Sequence, residues 1–312
     1  MNTVPILFTF DAPLVRPAGV CIASLLQNAA PDTFYDIFIL SNSDMPFAKD
    51  FLDRIVKHYG NGAITIRSVN NAFHGAFKIR GIPEAAYYRL LAPILIPEYE
   101  KIIYSDVDVI IREDLKRYMD IPLDDYYFAG VDNCLSLQPS VREYVTHKLR
   151  LDPSNGYYYS GNLVINSKRL KSDNKVEEFK ELAKNKYKFQ DMDIINLACN
   201  GKIYSLGPSF CVTTYLYQMM VERKLEMEKL YGPLEIEHAM QKGIIHFNGT
   251  KPWKGICPNM DIWWTYYRKT PIYDEDFSLR FWTSQRDYLQ TMPLGKRFKQ
   301  LLRYPIDRFV VE

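Results

Sequence analysis

The sequence predicts an α/β fold with a mostly parallel central sheet, and three observations carry that expectation. Short apolar runs alternate with helical segments through the first half of the chain, which is the pattern of repeated βαβ units. The runs are continuous rather than alternating, as in strands covered on both faces. Acidic residues stand where two of the runs end, and ligands of parallel sheets gather at the carboxyl ends of the strands.

The first run, residues 4–10, ends at Asp11 and Pro13 and precedes a helical pattern over residues 20–28. It is too short for a signal core or a membrane span. Residues 35–40 form a second apolar strand, followed by a helix over residues 46–59 that aligns Phe51, Leu52, Ile55 and Val56 on one face. The turn Gly60-Asn61-Gly62 leads into a third strand over residues 63–69. A helix over residues 85–92 carries Arg89 and is stopped by Pro93 and Pro97. A strand over residues 101–104 then runs into Asp106-Val107-Asp108. Further strands are expected at 127–131, 161–166 and 243–247, with helices at 176–185 and 191–199. Beyond Trp253 the texture turns aromatic and basic, which places a boundary near residue 255 between a main domain, 1–255, and a C-terminal extension, 256–312.

The bulk composition narrows the function. The 39 Lys and Arg against 37 Asp and Glu leave a net charge of +2, too balanced for nucleic acid as a partner. Five scattered cysteines with no C-x-x-C pair suit neither a disulfide framework nor a zinc site, and point to a reducing cytoplasm. There is no G-x-G-x-x-G and no G-x-x-x-x-G-K-[ST], so a bound nucleotide needs another device to neutralise its phosphates.

Asp106 and Asp108 at a strand end offer that device, since Val107 turns into the core while two carboxylates reach one side of the sheet edge, where Mn²⁺ or Mg²⁺ could hold a diphosphate. The same pair also suits a solvated turn or a helix N-cap. Residues 244–253 bring a second apolar strand to His246, which offers a nitrogen ligand, with Lys251 nearby as a point charge for phosphate. A hydrogen-bonded core histidine is the plainer alternative.

Taken in order, these landmarks resemble glycosyltransferase family 8, the group of bacterial lipooligosaccharide galactosyl- and glucosyltransferases and of glycogenin. The match runs over about residues 4–255: Asp11 after the first strand, Arg89, Asp106-Val107-Asp108, the Y-F-N-[AS]-G-V-L-L-I-N-like residues 157–166, the D-Q-D-x-[LI]-N-like residues 191–196, and H-x-x-G…K-P-W from His246. The resemblance implies a GT-A fold and a retaining, metal-dependent hexosyltransferase. It implies that Thr9, Phe10 and Asp11 line the uracil or ribose of a UDP-sugar. Asp106, Asp108 and His246 would bind Mn²⁺ or Mg²⁺, with Val107 between them, and Gly249 and Lys251 would touch the diphosphate. Arg89 and Asp191 would face the donor hexose, galactose or glucose, as the catalytic pair. For Arg89 a structural ion pair competes with that role, and for Asp191 an N-cap.

The chain also departs from the pattern. Tyr159 stands where the family has Asn, Met192 where it has Gln, Pro13-Leu14 where it has Asn-Tyr, and the loop from Gly249 to Lys251 is one residue short. A thioether is no useful nucleophile, so attack of the acceptor on the same face as the leaving UDP is the simplest retaining scheme. The acceptor would be a saccharide such as lipopolysaccharide or another cell-surface glycan, free or lipid-linked. Lys296, Arg297, Lys299, Arg303 and Arg308 alternate with Phe298, Leu301, Leu302 and Tyr304, a basic amphipathic pattern suited to peripheral contact with the inner face of a membrane. A metal-dependent phosphotransfer enzyme and a non-catalytic saccharide-binding relative remain as rival readings.

Overall fold

The apolar runs become strands, and their register positions the site. A computed structural model describes residues 2–42, 46–70, 72–77 and 84–303. The strands are β1 (Asn2–Thr9), β2 (Thr33–Ser41), β3 (Gly62–Ser68), β4 (Lys101–Ser105), β5 (Val109–Ile110), β6 (Phe128–Val131), β7 (Asn162–Asn166), β8 (Ile203–Leu206), β9 (Val212–Thr213) and β10 (Ile245–His246). Seven of them form one sheet in the order β3-β2-β1-β4-β7-β6-β8. Every pairing in it is parallel except those of β7, which runs antiparallel to β4 and β6. This is the mostly parallel α/β sheet that the sequence predicts.

Both faces of the sheet are covered, as its continuous apolar strands require. Ile6 and Phe8 of β1 enter one core cluster with Cys21, Ile22 and Leu25 of the helix Val15–Gln27 and with Leu52 and Ile55 of the helix Pro46–Tyr59. Leu7, between them, points the other way and joins Tyr104, Phe128, Phe179 and Ile194. The strand period of two thus splits one apolar run between two cores.

A second sheet of three very short strands, in the order β5-β10-β9, closes the carboxyl side of β4. β10 pairs antiparallel with β5, setting His246 opposite Val109, and parallel with β9, setting it beside Thr213. The aromatic residues after residue 255 dock behind it. Trp263, Trp264 and Tyr267, on the helix Met260–Lys269, are fully buried with Val20, Ile110, Ile245 and Phe247. Arg16 holds this seam, with Nη2 3.0 Å from Asp274 Oδ2 and its guanidinium carbon 4.4 Å from the ring centre of Phe277. The chain continues through the helices Glu275–Thr291 and Leu294–Arg303.

Three expectations are corrected. The segment carrying Arg89 is a 3₁₀ helix, Glu84–Leu91, and it passes directly into an α-turn, Ala92–Leu95. Pro93 does not stop it, because proline in a first turn forfeits only an N–H that has no partner there. Residues 243–247 contribute only two residues to a ladder. The helices Thr214–Glu222, Lys224–Tyr231 and Pro233–Lys242 and the strands β5, β8 and β9 were not anticipated. They are short, and two-residue strands carry no period to read.

All five cysteines are buried and unpaired. Among the described residues no helix is long and apolar enough to cross a membrane. Of the basic amphipathic run, Phe298 is exposed, and Tyr304 and Arg308 lie outside the described residues.

Candidate active site

The carboxyl end of β4 and the short second sheet build one cluster. β4 ends at Ser105, and Asp106 stays aligned with the sheet because its N–H donates to Gly161 O at 2.8 Å. The chain then turns at Val107, which is buried, and enters β5. Phe247 N–H donates to Asp108 O at 2.9 Å, locking the β10 end against the acidic turn. The result brings Asp106, Asp108 and His246 together, with one ligand atom from each lying within 4.8 Å of the others.

The orientation of each group is specific. His246 Nε2 lies 3.5 Å from Asp106 Oδ2 and 3.3 Å from Asp108 Oδ1. Around a small divalent cation with bonds of about 2.1 Å, those spacings correspond to angles of about 113° and 104° between neighbouring ligands. Two carboxylates and one imidazole form a mixed oxygen and nitrogen donor set that Mn²⁺ accepts. The remaining oxygens are engaged elsewhere. Asp106 Oδ1 accepts from Arg89 Nη2 at 2.9 Å and from the Tyr104 hydroxyl, while Asp108 Oδ2 pairs with Lys251 Nζ, which also donates to Phe247 O at 2.6 Å. Each carboxylate therefore presents one oxygen to the cluster.

Behind the imidazole, Nδ1 faces Cys211 Sγ at 3.7 Å. In front of it lies Gly161, where a β-carbon would stand 2.2 Å from His246 Cε1 and 2.6 Å from Nδ1. Burial disfavours a charge on His246, but the Asp108 carboxylate outweighs it and pushes the imidazole pKa up to about 10. For Asp108 burial acts in the opposite sense, and His246 and Lys251 still hold its carboxyl well below the usual range.

Arg89 connects this cluster to the start of the helix Asp191–Ala198. It is 5% exposed, lies over the Tyr104 ring at 4.2 Å, and places Nη1 3.4 Å from Asp191 Oδ2 and in a hydrogen bond to Ser160 O, with Nε donating to Ala86 O at 2.8 Å. The helix begins at Asp191 itself, with Gln190 preceding it at φ +48°, so Asp191 is not an N-cap. Its buried Oδ2 has no hydrogen-bond partner among the described residues, and burial raises the pKa of its carboxyl against the pull of Arg89. Asp193, two positions further along the helix, is structural: it accepts from Tyr144 Oη at 2.7 Å, from Phe189 N at 2.8 Å and from the Tyr157 hydroxyl.

The other expected residues are distributed around this core. Asp11 follows β1, half-buried, and opens a 3₁₀ turn over Ala12–Leu14. Thr9 Oγ1 lies 3.1 Å from Tyr104 Oη. Phe10 and Val107 are packed in the core and give no side-chain group to the cluster. Gly249 is exposed, its nearest neighbour in the Cβ direction being Thr214 Oγ1 at 3.8 Å. Tyr159 is buried in the same core as Cys211, and Met192 is half-buried between two apolar clusters. These two of the four departures from the family pattern are thus used in packing.

Sequence reasoning missed Tyr104, the Ser160 carbonyl, Gly161 as the wall of the imidazole, and Cys211. For Tyr104 a signal existed, since residues two apart on a strand share a face and Asp106 lies two beyond it.

Comparison with known proteins decides the family. Residues 5–257 match the profile described as glycosyl transferase family 8. The chain belongs to this family. General stress protein A of Bacillus subtilis (strain 168) is 23% identical over 252 residues, covering 78% of this chain and 85% of that protein. The glycosyltransferase GlyB of Streptococcus pneumoniae serotype 4 is 23% identical over 276 residues, covering 85% of this chain and 62% of its own length. An active-site mutant of LgtC superposes with a TM-score of 0.75 at 21% identity, covering 88% of this chain and 99% of LgtC. The galactosyltransferase LgtC in complex with donor and acceptor sugar analogues gives 0.65 at 22% identity over 95% of this chain and all of that one. At these identities the solved structures establish the fold, a GT-A-like α/β architecture with a helical C-terminal region, and the profile establishes a glycosyltransferase.

Proposed function

We propose that this glycosyltransferase moves a hexose from a UDP-sugar to a saccharide acceptor, with retention of anomeric configuration, and that it depends on Mn²⁺ or Mg²⁺. The observation that carries the reading is the convergence of Asp106, Asp108 and His246, with one ligand atom from each within 4.8 Å of the others and His246 Nε2 at 3.5 and 3.3 Å from the two carboxylates, beside Lys251 on one side and the Arg89–Asp191 pair on the other. The complex of LgtC with donor and acceptor analogues supports a sugar donor and a sugar acceptor for a relative of the same fold.

Asp106, Asp108 and His246 would hold the cation, which when bound neutralises the diphosphate of the donor and the charge that grows on departing UDP. Lys251 adds a positive group to that side, and Asp11, at the end of β1, faces the nucleoside. Asp191 and Arg89 orient the hexose. With Met192 in place of an amide, no side chain beside Asp191 offers a nucleophile, and Asp191 itself is tied to Arg89. The C1–O bond to UDP therefore breaks as the acceptor oxygen bonds C1 from the same face, and the leaving phosphate oxygen takes the acceptor proton. Lipopolysaccharide or another cell-surface glycan is the proposed acceptor.

Purified protein with Mn²⁺ is expected to release UDP from UDP-galactose or UDP-glucose, and Asp108→Ala to abolish that release. Product NMR should show retained configuration. No turnover and no UDP binding with any donor would leave a saccharide-binding relative, and an inverted linkage would sink the same-face scheme. For the exposed apolar and basic face of the C-terminal helices we propose an anionic membrane surface, where a lipid-linked acceptor would lie. A chain ending at Met292 should lose co-sedimentation with anionic vesicles, and equal co-sedimentation of both forms rejects this contact.

A further inference from the structure

We propose that Tyr104 is a positioning residue for the cation site, its phenol fixing which oxygen of Asp106 faces the cation. The inference rests on the reading of Asp106, Asp108 and His246 as that site. Tyr104 stands on β4 two residues before Asp106, so the two side chains rise on the same face of the sheet. Its ring is fully buried beneath the Arg89 guanidinium, its hydroxyl donates to Asp106 Oδ1, and Thr9 Oγ1 lies 3.1 Å from its oxygen.

The direction of this chain of hydrogen bonds follows from donor counting. An ionised carboxylate only accepts, so the phenol proton points to Asp106 and the Thr9 hydroxyl is left to donate to the phenol oxygen. Arg89 Nη2 occupies the same Oδ1 at 2.9 Å. With two donors on Oδ1, the carboxylate cannot turn over without stranding a buried phenol and a buried guanidinium, which is costly for both. Oδ2 is therefore the oxygen held toward His246 Nε2, at 3.5 Å, and Asp106 would bind a cation through that oxygen alone. Arg89 by itself is a poor guide for this, because its other nitrogens are committed to Ser160 O, Ala86 O and Asp191, leaving one contact about which the carboxylate could pivot. The phenol supplies the second, fixed contact.

Tyr104→Phe keeps the ring under Arg89 and removes only the hydroxyl. Outer hydrogen bonds of metal ligands are typically worth about 10- to 100-fold in affinity, so the Mn²⁺ dissociation constant, read from the EPR signal of free Mn²⁺ with no donor present, should rise about tenfold or more. Circular dichroism and Tm should stay near wild type, and kcat should recover at saturating Mn²⁺. A folded Tyr104→Phe protein whose dissociation constant stays within about twofold overturns the proposal. Should that variant not fold, Thr9→Val carries the test, with an expected rise of about fivefold for one lost neutral hydrogen bond and overturning if there is no change. Wild-type protein that binds no Mn²⁺ would sink the cation-site reading and this proposal with it. Wild-type binding together with unaltered binding by Tyr104→Phe sinks the positioning role alone.

Discussion

Gly161→Ala is expected to drive His246 out of the cluster and to weaken Mn²⁺ binding by about 100-fold or more, beyond the usual effect of an outer-shell change. The added β-carbon would sit 2.2 Å from His246 Cε1, 2.6 Å from Nδ1 and 3.1 Å from Asp106 Oδ2. None of these atoms can retreat cheaply. The imidazole has Cys211 Sγ at 3.7 Å on its Nδ1 side, and Asp106 is anchored by Arg89 and Tyr104. The glycine cannot move away either, since its carbonyl accepts from Asp106 N–H at the point where β4 and β7 part. The ring must rotate or β10 must shift, and in either case Nε2 leaves both carboxylates. Overpacking of this kind typically costs roughly 1–3 kcal/mol, so the variant should fold with a lowered Tm while losing metal. Calorimetric Mn²⁺ titration alongside thermal unfolding checks this. Metal affinity within about threefold of wild type would mean that the imidazole is not held against residue 161 in solution.

What could be read from the chain alone follows from which signals are local. The apolar runs of β1, β2 and β4 are long enough to be recognised as doubly covered strands, and the acids that follow β1 and β4 mark where a parallel sheet collects ligands. Asp106, Asp108 and His246 were legible because each ends such a run, and the ordered motifs then tied them together. The second sheet was not legible. β5, β9 and β10 have two residues each, and β10 finds partners far from it in sequence, Val212 of β9 at 33 positions (245 − 212) and Ile110 of β5 at 135 (245 − 110). Arg89 illustrates the same limit from the other side. Its residue type and place were readable, but not that its guanidinium is spent on Asp106, Asp191 and two carbonyls, since those partners meet it only in the fold. Tyr159 and Met192 read as gaps in a motif until the structure places both in apolar packing, a role that a motif comparison cannot show.

Mn²⁺ binding by the wild-type protein is expected to tighten with rising pH by about tenfold per unit between about pH 6 and 9, with one proton released for each ion bound. His246 can ligate through Nε2 only as a neutral imidazole. Burial works against its charge, yet Asp108 at 3.3 Å and, more weakly, Cys211 push its pKa up to about 10, so the free protein carries the imidazolium throughout this range. The sign is the same when stated as stability. A histidine whose folded pKa lies above the ordinary 6.5 contributes ion-pair stability that is fully present below that pH and is lost as pH rises through about 10. A bound cation competes with that proton for the same nitrogen, so stability without metal falls toward alkaline pH while stability with saturating Mn²⁺ does not. Titration calorimetry in two buffers of different ionisation enthalpy reads the released proton directly. An affinity that is flat across the interval, with no proton released, would mean that His246 is already neutral and that Asp108 is balanced by Lys251 alone, which Lys251→Met would then expose as a loss of stability larger than that of a surface ion pair.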